Sequence, residues 1–386
     1  MSDIFQAEDF ERVRRPLEKA QWMPKRMYLD PAMFERERER IFKREWLYAA
    51  HVGAVSQPGD YVALTVVGEP VLVVRGKDGL IRAFFNVCKH RAMAVASGAG
   101  NAPAFVCPYH AWNYDTTGQL QVAPGMGKAE GFDPCTVRLT EIRHEIVNGM
   151  IFINFDAGAE PLAAKIPDLI ELISPWDIGA MEPVHRSEIE GDYNWKVMLE
   201  NANENYHTIA VHRDSFHAIS PAEHSYSSDG QRRNWHDLYT PYTGPEPMVA
   251  GPRIAGVPEW AGQRLSFFAL HPQFLMSVSE DSVSTYVTEI VGHKKTRFVW
   301  TMYMMKGGKD QPGAAEHIAD MGAWIDRINS EDLVICRGVQ AGLESDGWEP
   351  TRFSHLEKPI WQFQNWYLDR MLDPPAGLTL AAQGRR

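Results

Sequence analysis

Two short pairs of cysteine and histidine constrain this chain more than any other feature of its sequence. The first pair is Cys88 and His90, one residue apart, and the second is Cys107 and His110, with two residues between them. A single turn can direct both side chains of such a pair toward one metal ion, so the four residues predict a metal site. Structural zinc is the commonest interpretation of two cysteines and two histidines.

The order of the ligands favours a different centre. Zinc fingers and ribbons usually pair two cysteines across about two to four residues, whereas each pair here joins one cysteine to one histidine. This arrangement suits two irons, of which one takes both cysteines and the other both histidines, as in a Rieske [2Fe-2S] cluster. A zinc site and a chance grouping of core cysteines and histidines are the alternatives.

The stretches 88–91 and 107–112 resemble the two cluster-binding loops of Rieske proteins. They read Cys-Lys-His-Arg and Cys-Pro-Tyr-His-Ala-Trp, and Gly118 supplies a turn after the second loop. Ala92 and Ala111 stand where many members of the family have glycine. The resemblance implies four ligands for a [2Fe-2S] cluster: Cys88, His90, Cys107 and His110.

The loops also indicate a branch of the Rieske proteins. Members from respiratory complexes add a cysteine to each loop and join the two by a disulfide, but Met93 and Tyr109 occupy those positions here. The resemblance is therefore to the oxygenases and ferredoxins. Cys135 and Cys336 remain outside the cluster without a disulfide-like spacing, and we expect both to be buried thiols.

Length and composition limit the possible classes. A chain of 386 residues is too long for one small cluster domain and predicts two domains. The net charge of −11 gives no basic surface, so we expect no nucleic-acid partner. The N-terminus lacks an apolar signal segment, and no apolar run approaches the length of a membrane span. We therefore expect a cytoplasmic protein without a membrane partner.

The chain divides into three parts. Residues 1–45 read as an irregular arm and a helix packing with the catalytic domain, and the alternating charges at 35–40 predict an exposed helix face. Residues 46–157 carry short β-branched runs typical of an all-β domain, here the Rieske domain. Residues 158–386 form the third part, which the resemblance of residues 194–212 described below implies is a catalytic mononuclear-iron domain.

The third part predicts an α+β fold with an antiparallel sheet. Strand-like segments occur at 265–279, 282–292 and 296–306, and helices are expected near 313–343 and 356–372. The complete prediction is an all-β Rieske [2Fe-2S] domain followed by an α+β domain. The resemblance described next implies that the second domain has the helix-grip, or START-like, fold.

A second histidine pair follows a predicted helix that begins at Trp195. His207 and His212 are five residues apart, so on a regular helix they would point about 140° apart. A shared metal therefore requires a π-bulge or a helix that ends between them. Glu200, Glu204 and His207 follow at i, i+4 and i+7, and a carboxylate three residues before a ligating histidine is well placed to bond it.

This stretch resembles the mononuclear-iron segment of Rieske non-haem iron oxygenase α subunits. The matching positions are Asn194, Trp195, Lys196, Glu200, Asn201, Glu204, Tyr206, His207 and His212. The resemblance implies that His207 and His212 bind iron and that a downstream carboxylate completes a facial triad. Asp332 is the preferred third ligand, with Glu331 and Asp326 as alternatives.

Two further residues receive roles from the resemblance. The family usually has aspartate at the bridging position that Glu204 occupies. We expect Glu204 to accept hydrogen bonds from His207 and, across a trimer interface, from His110 of the partner subunit. Asn201 matches a position near the iron, although a bond within its own helix is an equally good interpretation.

The resemblance implies a terminal oxygenase that uses O2 and a mononuclear Fe(II). Electrons would pass from NAD(P)H through a separate flavin-containing reductase, with or without a ferredoxin, to the cluster. The expected assembly is a homotrimer. The main alternative is a Rieske electron-transfer protein with a non-catalytic ligand-binding domain, and a zinc-stapled binding module is a third class.

The substrate is open at this stage. The family hydroxylates or oxidatively demethylates small organic compounds that are aromatic or carry a quaternary ammonium group. A cationic substrate would require aromatic side chains, for which Tyr286, Trp300 and Tyr303 are candidates on the predicted sheet. A substrate with a carboxylate would instead require arginine, lysine or histidine in the pocket.

Overall fold

The computed structural model describes residues 7–228, 234–244 and 251–372. The first six residues of the predicted arm and residues 373–386 of the predicted catalytic domain lie outside these ranges. In the described chain the strands are β1 (Leu47–His51), β2 (Asp60–Val66), β3 (Glu69–Arg75), β4 (Ile81–Phe85), β5 (Ala99–Asn101), β6 (Ala104–Val106), β7 (Asn113–Asp115), β8 (Leu120–Val122), β9 (Glu141–Val147), β10 (Met150–Asn154), β11 (Met181–Gly191), β12 (Trp235–Pro241), β13 (Arg264–Leu270), β14 (Phe274–Val278), β15 (Ser282–Gly292) and β16 (Lys295–Met305).

The α-helices over the same ranges are α1 (Ala7–Val13), α2 (Arg26–Leu29), α3 (Pro31–Glu37), α4 (Leu162–Lys165), α5 (Pro167–Ile173), α6 (Trp195–Ala202), α7 (Phe216–Ile219), α8 (Ala314–Leu343) and α9 (Lys358–Met371). Asp30 caps α3 by accepting from the backbone N–H of Ala32, and Pro31 takes the first helical position. Residues 38–42 continue α3 as a π-helical turn.

The Rieske part is built from two antiparallel sheets. Seven strands pair in the order β1-β10-β9-β4-β3-β2-β5, and a smaller sheet pairs β6, β7 and β8. The two predicted cluster loops follow β4 and β6 directly. Gly118 adopts a φ of +83° in the turn between β7 and β8, where its N–H donates to the Asp115 carbonyl. The strands therefore deliver both loops to the same core, which contains Cys88 and Cys107.

The second part contains the predicted antiparallel sheet, with six strands in the order β11-β16-β15-β14-β13-β12. The segment predicted at 265–279 is two strands, β13 and β14, because the chain reverses at residues 271–273. The helix α8 confirms the long helix predicted near 313–343, and its Ile325 packs with Trp300 and Met302 of β16. An α+β fold with an antiparallel sheet is confirmed.

Strand β12 was missed because its sequence does not alternate. Six of its seven residues are buried on both faces of the strand, so the polar His236 and Asp237 do not mark a solvent-facing side. Its pairing with β13 is regular from Trp235 opposite Leu270 to Pro241 opposite Arg264. It forms an edge of the six-stranded sheet.

The interpretation of residues 35–40 as a solvated face is wrong at Glu37. Glu35 pairs with Arg38 at 3.4 Å as expected, but Glu37 does not pair with Arg40. Its carboxylate is fully buried and lies 2.5 Å from Nζ of Lys196, which is buried as well. The arm thereby packs against α6, because a buried carboxylate needs a cation and donors around it.

Two smaller expectations concern cysteines and membrane spans. Cys336 is buried as expected, but Cys135 is exposed in the short turn 134–136, which corrects the prediction that both are buried. No disulfide joins any of the four cysteines, all of which lie in the described ranges. Among the residues that the structure describes, no helix has the length and apolar character needed to cross a membrane.

Candidate metal centres

The two cluster loops have the same backbone hydrogen bonds. In the first, the N–H of Ala92 donates to the Cys88 carbonyl and the N–H of Cys88 donates to Met93; in the second, Ala111 donates to Cys107 and Cys107 donates to Trp112. Each loop is closed four and five residues after its cysteine, although the histidines differ in spacing. The shared turn lets the pairs C-x-H and C-x-x-H present similar ligand sets.

Ala92 and Ala111 explain why glycine is common at these positions. Their φ angles are +59° and +57°, in the left-handed region that a Cβ atom disfavours. The chain keeps this backbone at two alanines because the turn hydrogen bonds hold it in place.

The donors in these loops fit a cluster with an inner and an outer iron. Cys88 and Cys107 are buried, whereas His90 is exposed and His110 half-buried, with ring centroids 4.5 Å apart. The Nδ1 atom of His110 is buried and has no hydrogen-bond partner in the described chain, as expected of an atom reserved for a metal. Trp112 stacks on His90 at 4.9 Å and orients its ring. We conclude that the residues fit a [2Fe-2S] cluster.

A hydrogen bond also reaches the inner sulfur. The backbone N–H of Lys89 donates to the Tyr114 hydroxyl at 3.0 Å, so that hydroxyl can donate to Sγ of Cys88, 3.4 Å away. Hydrogen bonds to a ligand sulfur stabilise its negative charge and tune the potential of such clusters.

The second centre lies after α6 and on α8. The helix α6 ends at Ala202, and His207 begins a short 3-10 turn over residues 207–209. The helix therefore ends before both histidines, which removes the 140° separation of a continuous helix. The helix thus ends before His207 and not between the two histidines, and Glu200, Glu204 and His207 do not share one helix face despite their spacing.

The structure brings His207, His212 and Asp332 together. One ligand atom from each lies within 4.8 Å of the others. Oδ1 of Asp332 is 3.0 Å from Nε2 of His212 and 3.5 Å from Nε2 of His207. Asp326 is not part of this group, which is the only such cluster in the described ranges.

The opposite nitrogens of both imidazoles contact carboxylates. Nδ1 of His207 lies 2.6 Å from Oε1 of Glu204, and Nδ1 of His212 lies 2.7 Å from Oε2 of Glu331. Burial alone would lower the pKa of His207, but the Glu204 and Asp332 carboxylates outweigh it and raise the pKa.

These contacts indicate a cation site. When each Nδ1–H donates to its carboxylate, each Nε2 carries a lone pair that faces the Asp332 oxygen. The lone pairs of the two nitrogens, 3.0 and 3.5 Å from the Asp332 oxygen, repel its lone pairs unless a metal ion or an extra proton lies between them. Two histidines and one carboxylate form the donor set that holds non-haem Fe(II) and leaves open positions. The residues fit a mononuclear iron.

The other residues that carry the resemblance differ in how they relate to the candidate metal group. The Nδ2 of Asn201 donates to Oδ1 of Asp332 at 3.2 Å, so its side chain bonds the predicted third ligand instead of its own helix. Tyr206 is exposed. Glu200 points away from the metal group and accepts from Tyr28 at 2.8 Å and Gln364 at 2.8 Å. Burial raises the pKa of Glu200 to about 7.

A cavity of about 460 Å³ opens beside the triad. His207, His212 and Asp332 line one wall, and β16 contributes Phe298, Trp300 and Met302, every second residue of the strand. Tyr286 also lines it, whereas Tyr303 faces the other side of the sheet, where its hydroxyl lies 3.4 Å from that of Tyr48. Two of the three candidate aromatic residues thus reach the cavity.

The charged side chains in the described cavity wall are acidic. Its described lining includes the carboxylates of Glu204, Asp320 and Asp332 but neither lysine nor arginine. Phe216 and Trp324 stack at 5.8 Å in the wall near Asp320, and further aromatic rings follow toward Tyr286. The cavity can hold an apolar or cationic molecule next to the three candidate iron ligands.

The bond between Glu331 and His212 was not predicted, because Glu331 was considered only as an alternative metal ligand. The i,i+4 spacing of Arg327 and Glu331 was an available signal, since such a pair fixes a carboxylate on a helix. Nε of Arg327 donates to Oε1 of Glu331 at 2.9 Å.

A Rieske cluster site on an all-β domain, together with a 2-His-1-carboxylate group on an α+β domain, defines the Rieske non-haem iron oxygenases. Residues 45–138 match the Rieske [2Fe-2S] domain, and residues 178–373 match the family described as ring hydroxylating alpha subunit (catalytic domain). The second match covers more than half of the chain. The chain belongs to this family and is an iron-dependent oxygenase component that receives its electrons from a reductase.

Relatives of known activity cover most of the chain. The carnitine monooxygenase oxygenase subunit of Acinetobacter pittii is 28% identical over 337 residues, which span 84% of this chain and 86% of that protein. The chloroplastic choline monooxygenase of Atriplex hortensis is 28% identical over 368 residues, or 91% of this chain and 78% of that protein. The crystal structure of the quaternary ammonium Rieske monooxygenase CntA with L-carnitine superposes with a TM-score of 0.77 at 26% identity, over 92% of this chain and 96% of that one.

Proposed function

We propose that the protein is the terminal oxygenase of a Rieske monooxygenase system whose substrate is a small quaternary ammonium compound. The observation that carries this proposal is the cavity beside the iron ligands, which combines aromatic walls with the Asp320 carboxylate and has no lysine or arginine in its described lining. Aromatic faces and carboxylates attract a cation that cannot donate hydrogen bonds. The names of the relatives from Acinetobacter pittii and Atriplex hortensis point to the same chemical class.

The proposal assigns a role to each site residue. Cys88, His90, Cys107 and His110 hold the [2Fe-2S] cluster, and His207, His212 and Asp332 hold the mononuclear Fe(II). The iron, once bound, supplies the activation of O2. Glu204 and Glu331 hold protons on the Nδ1 atoms of the two ligating imidazoles, which keeps both Nε2 atoms directed at the metal. Asn201 orients Asp332.

We also propose a homotrimer in which the cluster loops of one subunit meet the iron-site surface of the next. Large apolar side chains are exposed on both surfaces: Met93, Val106 and Tyr109 near the cluster, and Tyr206, Ile209, Val334 and Val339 near the iron ligands. Exposed apolar groups of this kind are typical of protein interfaces. Glu204 would lie where the two surfaces meet and would accept a hydrogen bond from His110 of the partner subunit.

The assay couples anaerobically purified protein, loaded with Fe(II), to NADH and a surrogate reductase. Choline, carnitine and glycine betaine are tested for consumption with O2. The neutral compound 3,3-dimethylbutan-1-ol, an isostere of choline, is tested beside them. We expect turnover of a cationic compound and at least tenfold lower kcat/KM for the isostere, because about 1.4 kcal/mol of cation–aromatic attraction is lost.

Neutral aromatic compounds are tested in the same assay, because an aromatic-lined cavity also accommodates them. Turnover of indole or another neutral aromatic compound without turnover of any ammonium compound would overturn the proposed substrate class. Iron and acid-labile sulfide are measured in parallel. Close to three irons and two sulfides per chain support both centres, whereas two irons that do not increase with added Fe(II) contradict the proposed triad.

A further inference from the structure

Glu204 lies between two buried asparagines that both reach the edge strand β12. Oδ1 of Asn203 accepts from Nε2 of His236 at 3.1 Å, and Nδ2 of Asn205 donates to Oγ1 of Thr240 at 2.5 Å. The segment 203–206 belongs to neither α6 nor the following 3-10 turn, so helical hydrogen bonds do not fix it. Its side chains must therefore fix it instead.

Each asparagine also joins one of the elements that flank Glu204. Nδ2 of Asn203 donates to the Leu199 carbonyl at 2.6 Å and closes the last turn of α6. The carbonyl of Asn205 accepts from both the N–H and the hydroxyl of Thr208, which starts the turn that carries His207. The two side chains thus tie the end of one element and the start of the next to the same strand.

The strand offers a rigid support. His236, Leu238 and Thr240 share one face of β12, and Leu238 lines the iron cavity between the two bonded residues. All seven residues of β12 pair with β13. A displacement of either anchor would therefore require movement of the sheet.

His236 is suited to donate one hydrogen bond. Burial lowers its pKa to about 4, against the attraction of Asp237, so the ring is neutral near pH 7. Nδ1 has no partner in the described chain, whereas Nε2 faces the Asn203 oxygen. The single proton therefore lies on Nε2.

We propose that Asn203 with His236, and Asn205 with Thr240, form a clamp that positions Glu204 for electron transfer between cluster and iron. These four are positioning residues. The inference rests on the proposed bridging role of Glu204, whose Oε1 lies 2.6 Å from Nδ1 of His207. A bridging carboxylate has to meet two imidazoles at once, and a displacement of about 1 Å costs on the order of 100-fold in such a geometry.

The test alters the strand, away from Glu204. His236→Phe keeps a ring and removes the donor, and Thr240→Val keeps the shape and removes the hydroxyl. Matched controls are His271→Phe, whose buried ring lies 4.9 Å from His236 and has no hydrogen-bond partner in the described residues, and the buried Thr288→Val on β15. Thr240→Ser restores the hydroxyl.

Reduced full-length protein is mixed with O2 and whichever of choline, carnitine or glycine betaine the unaltered enzyme consumes, and reoxidation of the cluster is followed by absorbance. We expect about 10- to 100-fold slower reoxidation in His236→Phe and Thr240→Val, with iron and sulfide content unchanged. The controls and Thr240→Ser should reoxidise at the unaltered rate. Equal rates in both clamp variants and the controls would overturn the clamp.

Two comparisons separate this inference from the role on which it rests. Glu204→Gln serves as the benchmark, and normal reoxidation in that variant refutes the bridging role itself. Slow reoxidation in Glu204→Gln with normal clamp variants refutes only the clamp. Crystal structures of His236→Phe and Thr240→Val need no substrate: an unchanged contact between Glu204 and His207 in both would overturn the inference.

Discussion

The carboxylate of Glu331 and the imidazole of His212 meet at 2.7 Å, on the side of the ring opposite the metal group. Asp332, the next residue along α8, meets the Nε2 side of the same ring at 3.0 Å. Two adjacent carboxylates on one helix thus contact the two ring nitrogens of one histidine. Because the residues project about 100° apart around the helix, one can complete the triad while the other holds the ring from behind.

Substitutions at this acidic pair should have different effects. Asp332→Ala should lose the third iron and leave two irons and two sulfides per chain, because the cluster loops are far along the chain from α8. Glu331→Gln should keep the site but weaken Fe(II) binding by about 10- to 100-fold. Metal analysis and Fe(II) titration check both. If Glu331→Ala loses the iron and Asp332→Ala retains it, the ligand has been assigned to the wrong residue.

Glu204→Gln should retain both metals but slow electron transfer. The amide has the same size as the carboxylate but lacks its negative charge. In the unaltered protein Oε1 of Glu204 lies 2.6 Å from Nδ1 of His207 and accepts its proton in a hydrogen bond. We expect at least a tenfold fall in kcat with cluster absorbance unchanged. The exposed Glu190→Gln on β11 serves as the control and should match the unaltered enzyme. Normal turnover in Glu204→Gln would remove the bridging role.

Ala92→Gly and Ala111→Gly should stabilise the cluster loops. Both alanines have φ near +60°, which glycine adopts without the Cβ penalty of about 1 kcal/mol. Part of this gain is offset by the greater freedom of glycine in the unfolded chain, so we expect up to about 1 kcal/mol per site. Melting curves followed by cluster absorbance measure it. Ala104→Gly, on strand β6, should instead destabilise, and equal behaviour at all three positions would contradict the argument.

His236 should make the protein sensitive to mild acid. Burial lowers its pKa to about 4 in the folded protein. As the pH falls, His236 is therefore protonated near pH 6.5 in the unfolded chain but only near pH 4 in the folded protein. The free energy of unfolding should therefore fall by about 2 kcal/mol from pH 7 to pH 5 through this residue alone. Urea unfolding at both pH values should show a smaller fall in His236→Phe. The exposed His224→Phe should behave like the unaltered protein.

Glu37→Gln should cost about 3–5 kcal/mol of stability, because it leaves the buried ammonium of Lys196 without its counter-charge. Burial already lowers the pKa of Lys196, and Glu37 opposes that effect. The double variant Glu37→Gln/Lys196→Met should recover much of the loss in chemical denaturation. An unchanged midpoint in the single variant would show that the pair contributes little.

The sequence by itself was enough to predict the candidate ligand sets. Cys88, His90, Cys107 and His110 stand close enough in sequence for local turns to place them, and turn geometry depends on few residues. The same holds for His207 and His212, whose spacing of five residues shows that a regular helix could not direct both at one metal. Hydrophobic periodicity also predicted α8 and β15, because each buries mainly one face. The strand β16 was predicted as well, although both of its faces are buried.

Only the tertiary structure decided the contacts between distant segments. The resemblance favoured Asp332 over Glu331, but their contacts with the two sides of His212, which lies 120 residues from Asp332, depend on how α8 is rotated. Glu37 looked exposed because its partner Lys196 lies 159 residues further along. The strand β12 carries no alternating pattern, yet it supports the turn around Glu204. Local spacing encodes which atoms can bind a metal, whereas their orientation depends on packing between segments far apart in the chain.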